Sequence, residues 1–134
     1  MDPLRYAREV VGRDPVSREM GLEVVELSEA RAVIGLTPRS RHLNALDRVH
    51  GSTLYALADQ ALAVAANTLG GSALVLECKI NFLAAAEPDK ALRAEAGPIK
   101  LGRKICLWEV AVRDVDDRLV ASAQGLTFHQ APKE

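Results

Sequence analysis

Between residues 54 and 69, apolar side chains recur at the spacing of a helix. Leu54, Leu57, Ala58, Ala61, Leu62, Ala65 and Leu69 fall at i, i+3, i+4, i+7, i+8, i+11 and i+15. Strong helix formers fill the gaps and Gly70-Gly71 supplies a stop, so the pattern predicts one helix from roughly Val49 to Leu69. Upstream the period shortens to two. Leu22 to Leu27 and Arg31 to Thr37 flank Ser28-Glu29-Ala30, with Ala32, Ile34 and Leu36 alternating against Arg31, Val33 and Thr37, which predicts a hairpin. Short helices are expected over Pro3 to Val11 and Pro15 to Met20, and Pro38 opens a basic loop, 39–48, that runs directly into the long helix. After Gly71 four more strands are expected. Leu74, Leu76, Cys78, Ile80 and Phe82 alternate with Val75, Glu77, Lys79 and Asn81, the pattern of a strand with one buried face. A Glu87-to-Lys90 turn leads to Leu92/Ala94/Ala96. Lys104 to Arg113 forms the next strand, Asp114 to Arg118 turns, and Leu119 to His129 forms the last, with Gln130 to Glu134 read as a tail.

The order is therefore strand, strand, long helix, four strands. Consecutive hairpins favour an antiparallel sheet, and a helix that is apolar on most of its circumference has to lie across that sheet to hide its surface, giving an α+β architecture. One sheet and one helix cannot cover each other fully. The outer sheet face or an edge strand then becomes a dimerisation surface, and a homo-oligomer is expected.

Asp59 is the exception within the helix. It is the only charge in Gly51 to Asn67, on a stripe with Ser52, Tyr55, Ala63 and Ala66 that is set off from the heavier Leu54/Ala58/Leu62/Ala65 stripe. Burying a carboxylate without a partner penalises its ionised form and raises its pKa, a cost in stability but useful for a group that takes up a proton. Gln60 and Asn67 mark a polar edge, so the plain alternative is a surface Asp in water.

Length and composition narrow the remainder. At 134 residues, 49% hydrophobic and 26% charged, the chain reads as one soluble domain over 1–134, and a net charge of −1 argues against nucleic-acid binding. The N-terminus lacks the apolar core of a signal peptide and no run is long enough to span a bilayer, so a cytoplasmic location and no membrane association are the default expectation. Cys78 and Cys106 stand apart, without Cys-x-x-Cys spacing, and are expected as buried thiols on strands. His42, His50 and His129 lack ligand spacing, so no metal site is expected.

The segment Asn44-x5-His50-Gly51-x7-Asp59-x-Ala61, followed by Lys79-Ile-Asn-Phe-Leu83 and Leu101-Gly-Arg-Lys104, resembles the hotdog-fold acyl-CoA thioesterases of the phenylacetic-acid-degradation (PaaI-like) type. The likeness runs from about Met20 to Gln130. It implies a long central helix wrapped by the antiparallel sheet, and a homodimer or dimer of dimers with active sites at the subunit interface. It implies no cofactor, with coenzyme A entering as part of the acyl-CoA substrate. In that family's terms Asp59 acts as general base or nucleophile, and the Gly51 N–H at the helix start meets the thioester oxygen. Asn44 orients water or a carboxylate oxygen, an Asx turn being its plain alternative, and His50 shapes the helix entrance. Gly102, Arg103 and Lys104 meet the phosphate end of coenzyme A, where Arg39, Arg41 and Arg48 add attraction.

Two positions depart from the family pattern: Asp47 and Ser52 stand where glycines are usual. Other classes fit less well. Hotdog hydratases commonly use an Asp-x4-His arrangement, and Val64 occupies the histidine position here. The alternative from another class is a non-catalytic acyl-CoA-binding or sensor hotdog protein; a sensor would usually carry an effector domain, which the short segment before Gly21 is expected to be too small to offer.

Overall fold

The computed structural model describes residues 1–130; the part of the expected tail at 131–134 lies outside the described residues, and Gln130 belongs to the last strand. Two short helices, α1 (Pro3–Tyr6, continued by a π-helical turn, Ala7–Val11) and α2 (Pro15–Met20), precede a hairpin of β1 (Glu23–Ser28) and β2 (Arg31–Leu36). The long helix α3 spans Gly51–Asn67, and β3 (Ser72–Phe82), β4 (Leu92–Leu101), β5 (Ile105–Asp114) and β6 (Leu119–Gln130) follow. All six strands form one antiparallel sheet in the order β1-β2-β4-β5-β6-β3, leaving β1 and β3 at the edges. The sheet wraps α3, which packs against β2, β3, β4, β5 and β6. Leu57, Leu62, Ile34, Leu92 and Trp108 are fully buried between the layers. This is the expected helix wrapped by a sheet.

Helix α3 starts two residues later and stops two earlier than its apolar pattern. Val49 is held outside by pairing with Leu43, and Thr68 ends the helix by donating its hydroxyl to Ala65 O at 2.7 Å while accepting from Ala30 N–H at 2.8 Å. The polar edge read from Gln60 and Asn67 does not face water. Both are buried: Gln60 donates to Val11 O at 2.7 Å, pinning the N-terminal segment to α3, and Asn67 accepts from Ala73 N–H at 3.0 Å, fixing the start of β3.

Strand β3 departs from its simple alternation. A bulge between Val75 and Glu77 shifts the register by one residue, so Val75, Cys78 and Ile80 are partly buried while Leu74 and Leu76 are 60% and 58% exposed. Gly125 on β6 pairs with Cys78, and a Cβ there would meet Leu62 at 2.5 Å. Val33, expected on the solvent side, is buried. Its outer-face surroundings are Arg31, Arg93, Glu26 and Glu95, whose ion pairs cross the β1, β2 and β4 strands.

Candidate active site

The loop before α3 is built to deliver the helix start. His42 is buried: its Nδ1 accepts from Arg39 N–H at 2.9 Å and its Nε2 lies 2.8 Å from Met20 O, an arrangement that fits the neutral ring with its proton on Nε2. His42 O accepts from His50 N–H at 2.7 Å. His50 is the N-cap. Its Nδ1 accepts from Ser52 N–H at 2.9 Å, and its carbonyl accepts from Thr53 N–H at 2.9 Å and Leu54 N–H at 3.2 Å. Among the described residues, the Gly51 N–H has no acceptor, leaving one free donor at the positive end of α3. Phe82 of β3 packs on the Cα side of Gly51, where a Cβ would meet its ring at 3.2 Å.

Asn44 forms the Asx turn that was its plain alternative. Its Oδ1 accepts from Leu46 N–H at 2.9 Å and Arg48 N–H at 3.1 Å, while Nδ2 has no acceptor among the described residues. Asp47 adopts φ 57°, the left-handed region, which accounts for glycine being usual there and for Asp being one of the few tolerated replacements. Ser52 is exposed, with its N–H committed to His50.

Asp59 is half-buried, and among the described residues its carboxylate has no hydrogen-bond or ion-pair partner. Burial pushes its pKa up, and Asp14, at the N-cap of α2, pushes it further the same way. Tyr55, one turn earlier, donates its hydroxyl to Cys78 O at 3.1 Å. The Tyr55 and Cys78 pKa values are also raised, chiefly by burial and in part by Asp59. Asp59, Tyr55 and Cys78 thus form one cluster between α3 and β3, the open edge of the sheet. Of these, Tyr55 was legible as a member of the Asp59 stripe; Cys78 and Asp14 needed the tertiary arrangement to be found.

Other expected site residues lie apart. Asp59 lies eight positions after Gly51, about 12 Å along the helix axis, so one chain does not bring both to the same carbonyl. The Gly102-Arg103-Lys104 turn lies at the far end of α3, in a cleft of about 990 Å³ that Leu69, His129 and Gln130 also line. Gly102 fits that turn because a Cβ would meet Ile105 O at 2.3 Å. The three loop arginines do not join this cleft. Arg48 lies 3.5 Å from Glu87, and Arg39 and Arg41 line a separate cleft of about 370 Å³ with Glu23 and Asp114. Among the described residues no group of three or more His, Cys, Asp or Glu could hold a metal ion, and no helix is long and apolar enough to cross a membrane.

Comparison with known proteins matches residues 46–121, which contain the helix start and Asp59, to the thioesterase superfamily. A putative esterase of Archaeoglobus fulgidus is 31% identical over 115 residues, covering 86% of this chain and 75% of that protein. The acyl-coenzyme A thioesterase PaaI of Escherichia coli is 28% identical over 112 residues, covering 84% of this chain and 80% of its own. The solved structure of the E. coli PaaI protein superposes with a TM-score of 0.86 at 26% identity, covering 90% of this chain and 88% of that one. The helix start, the unpaired carboxylate on a sheet-wrapped helix and these likenesses agree: the chain belongs to the thioesterase superfamily and is a PaaI-like, hotdog-fold thioester hydrolase.

Proposed function

We propose that this enzyme hydrolyses acyl-CoA thioesters to free acid and coenzyme A, in sites assembled between two copies of the chain. The observation that carries the proposal is Asp59: a carboxylate with a raised pKa, without a protein partner, open toward an unpaired sheet edge. The acyl-CoA substrate follows from the relation to the E. coli acyl-coenzyme A thioesterase.

Strand β3 runs from the C-terminal end of α3 back to its start, where Phe82 packs on Gly51. Antiparallel pairing of β3 with its copy lays two helices in opposite directions and brings Gly51 of one protomer toward the partner's Asp59. The Gly51 N–H then donates to the thioester oxygen as negative charge develops there. The partner's Asp59 takes the proton of the attacking water as general base, or attacks as a nucleophile; in either role the carboxylate starts ionised, and its lack of hydrogen-bond donors keeps it basic. Asn44 Nδ2 is the donor for orienting the water or the carboxylate, and His50 holds the helix start rather than moving a proton. The protomer that gives Asp59 also carries the Gly102-Arg103-Lys104 cleft, beyond the end of its helix at Asn67, about 12 Å along the axis from Asp59, a span of the order of the extended pantetheine arm. Arg103 and Lys104 suit the phosphates at its end.

The test is release of free thiol from a panel of aromatic and short- to medium-chain acyl-CoAs by wild type and Asp59→Ala. Turnover by wild type and its loss in the variant are expected. Equal rates from both proteins, or none from wild type on any member, would count against the proposal.

A further inference from the structure

The cleft at the far end of α3 contains a side chain whose chemistry the two cations do not explain. His129 is partly buried at the end of β6, and its backbone N–H donates to Lys104 O at 2.7 Å, tying it to the basic turn. Beneath it, Trp108 Nε1–H donates to Thr127 Oγ1 at 2.7 Å, and Thr127 Oγ1 lies 3.0 Å from His129 Nε2. Trp108 and Thr127 are both fully buried. An indole N–H can only donate, so the threonine oxygen is the acceptor there, and its own proton needs another acceptor. Nε2 of His129 is within reach. That assignment leaves the ring proton on Nδ1, the one remaining donor of a residue that walls the cleft. Burial lowers the His129 pKa, which keeps the ring neutral and the chain of donors intact.

We propose that His129 is a recognition residue for the nucleotide end of coenzyme A, its Nδ1–H donating to a phosphate oxygen held in the cleft beside Arg103 and Lys104. The proposal rests on the acyl-CoA reading above. Arg103 and Lys104 are exposed and supply attraction with little direction, whereas a ring fixed through Thr127 to the core supplies a donor of set position. A cleft of about 990 Å³ has room for a nucleotide.

The experiment compares one acyl group carried on coenzyme A and on pantetheine, which lacks the phosphates and the nucleotide, in wild type, His129→Ala and His129→Asn. The amide of Asn sits where Nδ1 does and keeps the donor. His129→Ala is expected to raise KM for the CoA thioester about tenfold with kcat held and to leave the pantetheine thioester unaffected, while His129→Asn recovers most of the loss. Parallel changes with both thioesters, or no change with either, would overturn the assignment, because a structural role acts on both alike. So would an Asn variant that melts like wild type yet behaves as Ala. Calorimetric titration with free coenzyme A separates the two readings. Binding that weakens in His129→Ala supports this cleft even where wild type turns over neither thioester, a result that overturns the hydrolytic reading alone. Turnover of both thioesters with equal KM overturns the cleft alone.

Discussion

Strands β1 and β3 both end the sheet and both carry a bulge, yet they meet their surroundings differently. β1 is six residues long, and Gly12 of the N-terminal segment packs against its Val24. Its Glu26 faces Arg31 and Arg93 at 4.0 and 3.9 Å. Short length, charge and a covering segment are how proteins close an edge against further pairing. β3 is eleven residues long and leaves Leu74, Leu76 and Phe82 more than half exposed, with Leu83 following them. Glu77 and Lys79 also lie on β3, and no ion pair engages them among the described residues. The only charge of α3, Asp59, also opens on this side. One edge is finished by its own chain; the other stays long, apolar and unpaired among the described residues.

The contrast breaks most visibly if the two edges are charged in turn. Leu74→Lys/Leu76→Lys is expected to leave a folded monomer with hydrolysis lost, since Gly51 and Asp59 of one chain cannot reach the same carbonyl, whereas Val25→Lys on β1 keeps both the assembly and the rate. Sedimentation and thiol release on the same samples check this, and an active monomer would refute it. Asp59→Asn, which spares the interface, is expected to lower kcat by about 10²–10⁴-fold with the assembly unchanged. Arg103→Ala should raise KM by about tenfold and hold kcat, because it touches a remote group equally in ground and transition states.

The smallest effect is on stability. The folded pKa of Asp59 is raised, so its protonated form is favoured by folding. That contribution is complete below the unfolded value of about 3.9 and is lost as pH rises through the folded value. Ionised Asp59 therefore costs stability at neutral pH. Asp59→Asn is expected to raise Tm by a few degrees at pH 7 and to lose that advantage near pH 3.5, as calorimetry at the two pH values would reveal. A less stable Asn variant at pH 7 would contradict the burial argument.

Much of this was legible in the sequence because it depends on periodicity or composition. The helix, the hairpin, the order of strands and a lone carboxylate on an apolar helix all follow from neighbours within a few residues. What escaped depends on contacts between distant segments. The bulge at Leu76 reverses which β3 residues face inward, and it is set by the β6 partner rather than by β3's alternation. Gln60 reads as solvated until Val11, far along the chain, turns out to accept from it. The Tyr55–Cys78 contact and the Trp108–Thr127–His129 chain join residues on different elements, with no local spacing to announce them.

Gly125 has a consequence for how closely this fold packs. It stands directly across from Cys78, and Leu62 of α3 occupies the space a methyl group would need. The clearance between α3 and the β3–β6 pair is thus set by an absent carbon atom. A methyl group there would push the tip of Leu62 aside and press on Glu77 O at 3.0 Å, at the bulge of β3.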